Sequence, residues 1–87
     1  MSKSRMGVLL IFGDGHLSGS QLREVLTDGP IVIEHLKVSS TTDERIAKIP
    51  EGFSLRAVAI RSDVGSGALE EAQRFAENQG GIFLIIS

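Results

Sequence analysis

The chain has 87 residues, 41% of them hydrophobic and 23% charged, with a formal net charge of −2. That length supports one domain around one core and excludes a multidomain enzyme. The absence of cysteine removes disulfide frameworks, thiolate zinc sites and cysteine nucleophiles together. Nine Lys and Arg against eleven Asp and Glu leave no basic excess to neutralise a row of phosphates. Four Phe without Trp or Tyr make a poor stacking platform, so nucleic acid is not an expected partner.

The first six residues carry Lys3 and Arg5, but the apolar run behind them ends at Gly13. It is too short for a signal peptide or a membrane span. The expectation is a flexible N-terminus over residues 1–6, a single α/β domain over residues 7–87, no membrane partner and a cytoplasmic location.

Gly7 to Phe12 is a continuous apolar run ended by Gly-Asp-Gly, the pattern of a strand buried on both faces. After the loop Gly13 to Gly19, Leu22, Val25 and Leu26 recur at helical spacing in Ser20 to Leu26, with Ser18 or Ser20 as N-cap and Asp28-Gly29-Pro30 as the stop. Ile31-Val32-Ile33 resumes as a strand and then alternates through Glu34, His35, Leu36, Lys37 and Val38, which reads as a sheet edge with one wet face. Thr41 with Glu44 fits a capping box. Ile46, Ala47 and Ile49 then form a narrow apolar stripe before Pro50 ends a short helix. Leu55 to Ile60 is a third strand, stopped by Arg61-Ser62-Asp63. Gly65-Ser66-Gly67 leads into a stronger helix whose buried face is Ala68, Leu69, Ala72, Phe75 and Ala76. Glu70 and Glu71 fall in its first turn, where negative charge suits the helix dipole. Gly80-Gly81 caps it, and Ile82 to Ile86 is the last strand.

Strands alternating with helices through short loops imply parallel pairing, right-handed crossovers and helices on both faces. The expected fold is a small flavodoxin-like three-layer sandwich, four parallel strands in the order 2-1-3-4. Ligands of such sheets lie beyond the carboxyl ends of the strands where strand order reverses, here between the first and third strands. The loops Gly13 to Ser20 and Ser62 to Gly67 meet there, each with an aspartate and small residues that free backbone N–H groups. Turn chemistry alone also selects Gly, Ser and Asp at such places. The spacing Gly13-x-Gly15-x-x-x-Gly19 departs from a dinucleotide fingerprint, because the second strand ends in Lys37-Val38-Ser39 rather than an acidic residue. Arg61 is a candidate anion clamp at the crevice mouth. His35, beside Glu34 and Lys37, reads as solvent-facing rather than metal-binding.

Val8 to Ser18, with Phe12-Gly-Asp-Gly-His-Leu-Ser, resembles the first strand and loop of the mannose-type IIA domains of the sugar phosphotransferase system. Ala57 to Gly67, with Ser-Asp-Val-Gly-Ser-Gly, resembles that family's third strand and is closer still to the related phosphotransfer subunit of dihydroxyacetone kinase. The likeness is close over these two loops and loose over residues 7–87. It implies a phosphoryl site at the strand ends, with Asp63 orienting the acceptor and Gly65, Ser66 and Gly67 cradling the phosphoryl group; Gly15, Ser18 and Arg61 join them as candidate anion-binding residues of the crevice. In an ungapped alignment, however, Asp14 stands where the family carries its phosphohistidine, and His16 stands two residues on. The chain also ends at the fourth strand, where the family continues.

The first expectation is therefore a non-catalytic or regulatory binding module of IIA-like fold with an anion-binding crevice. The alternative is an active phosphocarrier that accepts a phosphoryl group from a phosphohistidine donor protein on Asp14 or His16. If Asp14 and Asp63 approach closely, their repulsion would favour a shared Mg²⁺ as cofactor. A small nucleotide-binding domain using both glycine-rich loops is the third reading. The uncharged last strand, Ile82 to Ile86, points to self-association as a homodimer.

Overall fold

The computed structural model describes residues 6–27 and 29–86. The strands are β1 (Gly7–Phe12), β2 (Ile31–Leu36), β3 (Ser54–Arg61) and β4 (Ile82–Ile86). The helices are α1 (Gly19–Leu26), α2 (Thr42–Ala47) and α3 (Ser66–Gln79), and a 3₁₀ turn at Ser62–Val64 precedes α3. All strand pairings are parallel, and the order β2-β1-β3-β4 is the one expected. Of the expected flexible start, residues 1–5 lie outside the described residues, whereas the Met6 carbonyl accepts the Ser54 N–H at 3.3 Å. Asp28, part of the expected stop after α1, also lies outside them.

Central β1 is buried along its whole length, which is why its sequence is apolar at every position rather than alternating. Val8, Leu10 and Phe12 point to the face covered by α2 and α3, where they pack with Val58, Ile60, Ala72, Phe75 and Ala76. Leu9 and Ile11 point to the other face and meet Val25 of α1, with Ala57, Ala59 and Ile86. The two small alanines of β3 leave room for a short helix to lie close to the sheet.

A register irregularity sets where the polar ties of this second face fall. Val8 pairs with Leu55 but the next residue, Leu9, pairs with Ala57, so Arg56 is an extra residue in β3. Its guanidinium donates to the carbonyls of Val25 and Gly29 at 3.0 and 3.2 Å, satisfying acceptors at the end of α1. Gly7 makes this possible. A Cβ there would lie 2.7 Å from the Arg56 Cζ, so a side chain at this position would displace the guanidinium from the two carbonyls it holds.

Local signals set most element ends. Ser18 caps α1 in a full capping box with Gln21, and Thr41 caps α2 with Glu44. Gly80 ends α3 in the left-handed conformation. Three expectations shift. β2 ends at Leu36 rather than Val38, because the chain turns there, the Ser40 N–H bonding back to the Lys37 carbonyl at 3.0 Å. In α2 the buried residue is Arg45, while Ile46 is 46% exposed, so the expected stripe of Ile46, Ala47 and Ile49 is corrected; only Ile49 packs against the core. In α3 the helix begins at Ser66, so Glu70 and Glu71 sit beyond the first turn; they pair instead with Arg74 and Arg45.

Candidate functional site

β1 and β3 are neighbours whose following loops lead to helices on opposite faces, so the carboxyl end of the sheet divides between them. The loop after β1 folds back over the end of β3 and β4. Gly15, at φ 134°, lies so close to the sheet that a Cβ would come within 2.9 Å of Ile86 Cδ1 and 3.5 Å of Arg61 Cγ. A side chain at Gly15 would be strained in its own backbone and would crowd the tip of Ile86, while meeting the Arg61 stem at ordinary contact distance.

Arg61, the last residue of β3, is therefore partly roofed by this loop. Its Nη2 donates to Asp63 Oδ2 at 2.8 Å, an ion pair between groups that are 42% and 62% exposed. Its Nε is buried and has no hydrogen-bond partner. An unsatisfied buried N–H costs about 1–3 kcal/mol, so this atom is a place where an acceptor would be welcome. Beyond Asp63, helix α3 starts at Gly65-Ser66-Gly67 with no side-chain cap. Its first hydrogen bond within this turn runs from the Leu69 N–H to the Gly65 carbonyl at 3.1 Å, which leaves the N–H groups before Leu69 outside the helical ladder.

The other expected residues distribute around this centre. Asp14 is exposed and lines a shallow depression with Gly13, His35, Leu36 and Lys37, on the β2 side of the loop. His16 is exposed and lines an open cleft of about 460 Å³ with Ser18, Ser20, Gln21, Ile85 and Ile86, on the β4 side. It also borders a smaller apolar cavity with Leu9, Ile11, Leu17, Leu22, Ile33 and His35. The Ser18 hydroxyl is engaged in helix capping, accepting the Gln21 N–H at 3.2 Å and lying 3.3 Å from Ser20 Oγ. Asp14 thus faces β2, while Asp63 is tied to Arg61. No group of three or more His, Asp and Glu side chains gathers into a metal site among the described residues. No helix among them is long and apolar enough to cross a membrane.

Two polar residues at the carboxyl end escaped the sequence reading. Gln21 does double duty, accepting the Ser18 N–H through Oε1 and donating through Nε2 to the Ile85 carbonyl of β4 at 2.9 Å. Arg45, only 3% exposed, lies over the Phe12 ring with Cζ 4.5 Å from its centroid. It donates to Ser40 Oγ, the Val38 carbonyl and Glu71 Oε1. Its signal was present in the capping box, since Ser40 and Arg45 occupy the two positions that a hydrophobic staple would join. Here a hydrogen bond replaces the apolar contact. Comparisons of the chain with family models, curated proteins and solved structures found no match.

Proposed function

We propose that this protein is a binding module that takes a small oxyanion, of the phosphoryl class, in the crevice between the ends of β1 and β3. The observation that carries this reading is Arg61. One nitrogen of its guanidinium holds Asp63, while its buried Nε lacks an acceptor beneath the Gly15 loop. An oxyanion beside Arg61 would gain charge-assisted hydrogen bonds, and the uncapped start of α3 at Gly65, Ser66 and Gly67 would add backbone donors. Because Nε is buried, an oxyanion reaches it only with a local movement that uncovers it.

Binding without group transfer fits the surroundings of the acidic residues better than carriage does. Asp14, the residue at the phosphohistidine position of the resembled family, faces β2, and Asp63 is paired with Arg61 rather than with His16. The test is an amide NMR titration with inorganic phosphate, using wild type and Arg61→Met. Saturable shifts at Gly15 and at residues 65–67, lost in the variant, are expected. Shifts that persist in Arg61→Met would remove the reading. Intact mass after incubation with phosphoenolpyruvate and the general phosphotransferase proteins separates the phosphocarrier alternative: a phosphoryl adduct abolished by Asp14→Asn or His16→Ala would establish transfer.

The partner that suits the remaining surface is a second copy paired through β4. That edge strand carries no charged residue, and Ile82 and Ile85 are 42% and 48% exposed. The opposite edge, β2, is guarded by Glu34, His35 and the 3.7 Å ion pair of Glu34 with Lys48. Sedimentation equilibrium is expected to show a concentration-dependent dimer, weakened by Ile85→Lys; a strictly monomeric profile at high concentration would exclude it.

A further inference from the structure

A second cleft, on the far side of β1 from Arg61, has a different chemistry. It opens between the end of β2 and helix α2 with a volume of about 700 Å³, and is lined by His35, Leu36, Lys37, Ser39, Ser40, Glu44, Ala47 and Lys48. Leu36 and Ala47 supply apolar surface, and most of the polar lining is hydrogen-bond donors. Beneath it lies the buried Arg45. Arginine can donate hydrogen bonds but not accept them. Because Arg45 Nε donates to Ser40 Oγ at 3.2 Å, the Ser40 hydroxyl proton is directed away from that bond, and the charge behind it strengthens it as a donor. Arg45 also holds the Val38 carbonyl, which fixes the turn that carries Ser39 and Ser40.

The charges around the cleft are not all of one sign. Glu44 lines it, but its Oε1 accepts the Thr41 N–H at 2.8 Å as half of the capping box. Glu34 faces Lys48 across 3.7 Å, with both side chains about two-fifths exposed, so this pair is loose and open to competition. Glu71, the carboxylate partner of Arg45, is 69% exposed. Lys37 is exposed at the rim; its carbonyl accepts the Ser40 N–H at 3.0 Å, while its ammonium has no partner among the described hydrogen bonds and ion pairs. Lys37, Lys48, Ser39 and Ser40, all with side-chain donors, thus line a cleft whose volume lies in the range of small-molecule sites.

We infer that this cleft binds a small phosphate monoester, its phosphate on Ser40, Lys37 and Lys48 and its organic part against Leu36 and Ala47. The site is separate from the Arg61 crevice and does not depend on it. Phenyl phosphate is a suitable probe, with phenol as the control that lacks the anion. In an amide NMR titration the expected result is saturable shifts at residues 36–40 and 44–48 with phenyl phosphate and none with phenol. Lys37→Ala and Lys48→Ala are each expected to weaken binding by about tenfold or more, as loss of one charge-assisted contact does, and Ser40→Ala by a similar factor. Because Ser40→Ala also removes an acceptor from Arg45, its thermal midpoint is to be measured alongside; the lysine variants carry the test if it unfolds. Absence of shifts at millimolar phenyl phosphate would overturn the inference. So would equal shifts with phenol, or shifts confined to Gly15 and residues 61–67, which would instead belong to the crevice at Arg61.

Discussion

The two faces of the sheet are held by different means. Against α2 and α3, the sheet presents Val8, Leu10, Phe12, Val58 and Ile60 to a helix face of Ala72, Phe75 and Ala76, and large side chains interlock. Against α1 it presents Leu9, Ile11, Ala57 and Ala59 to a helix of eight residues in which only Val25 is buried. What apolar area the short helix lacks is compensated by ties across its ends: Gln21 to the Ile85 carbonyl at the start, Arg56 to the Val25 and Gly29 carbonyls at the finish. One face is packed and the other is laced. The Gly15 loop leads into the laced side, where local opening costs less.

If that contrast is right, truncation in the packed face has the largest consequence. Phe75→Ala is expected to lower stability by about 3–5 kcal/mol through lost burial and a residual cavity, read from the urea midpoint at constant slope. On the laced face, Val25→Ala should cost less, about 2 kcal/mol, since it removes a smaller side chain. Arg56→Ala should cost about 1–3 kcal/mol and speed hydrogen exchange in α1 more than in α3, because acceptors at the end of α1 lose their donors. Equal acceleration in both helices would show that the two faces are one cooperative unit. Gly7→Ala sharpens the same point: its added methyl meets the Arg56 guanidinium, so it should destabilise wild type by about 1–3 kcal/mol and Arg56→Ala by clearly less. The smallest effects belong to the caps. Ser18→Ala and Thr41→Ala should each cost about 1 kcal/mol, with the Ser18 change concentrated in α1 amide exchange.

The strand-helix alternation was readable because each element carries its own period and its own punctuation. Apolar runs of five or six residues, capping boxes at Ser18 and Thr41, and glycines at 13, 65 and 80 mark boundaries through local backbone energetics. Parallel order then follows from short connections. The candidate site was legible only as a neighbourhood. The sequence pointed to the loops at Asp14 and Asp63, but the direction in which each carboxylate faces depends on how Gly15 settles over Ile86 and Arg61. The role of Arg45 was hidden because a charged residue in a helix ordinarily implies a wet face; two phenylalanines distant in sequence, Phe12 and Phe75, make it a buried one.

What the chain determined by itself is therefore the set of elements, their order and the apolar character of the central strand, all of which arise from interactions between residues a few positions apart. What the tertiary structure decided is the extra residue at Arg56, the burial of Arg45, the orphaned Nε of Arg61 and the cleft between β2 and α2. Each depends on contacts between residues remote in sequence, where close packing admits one side chain and shuts out another.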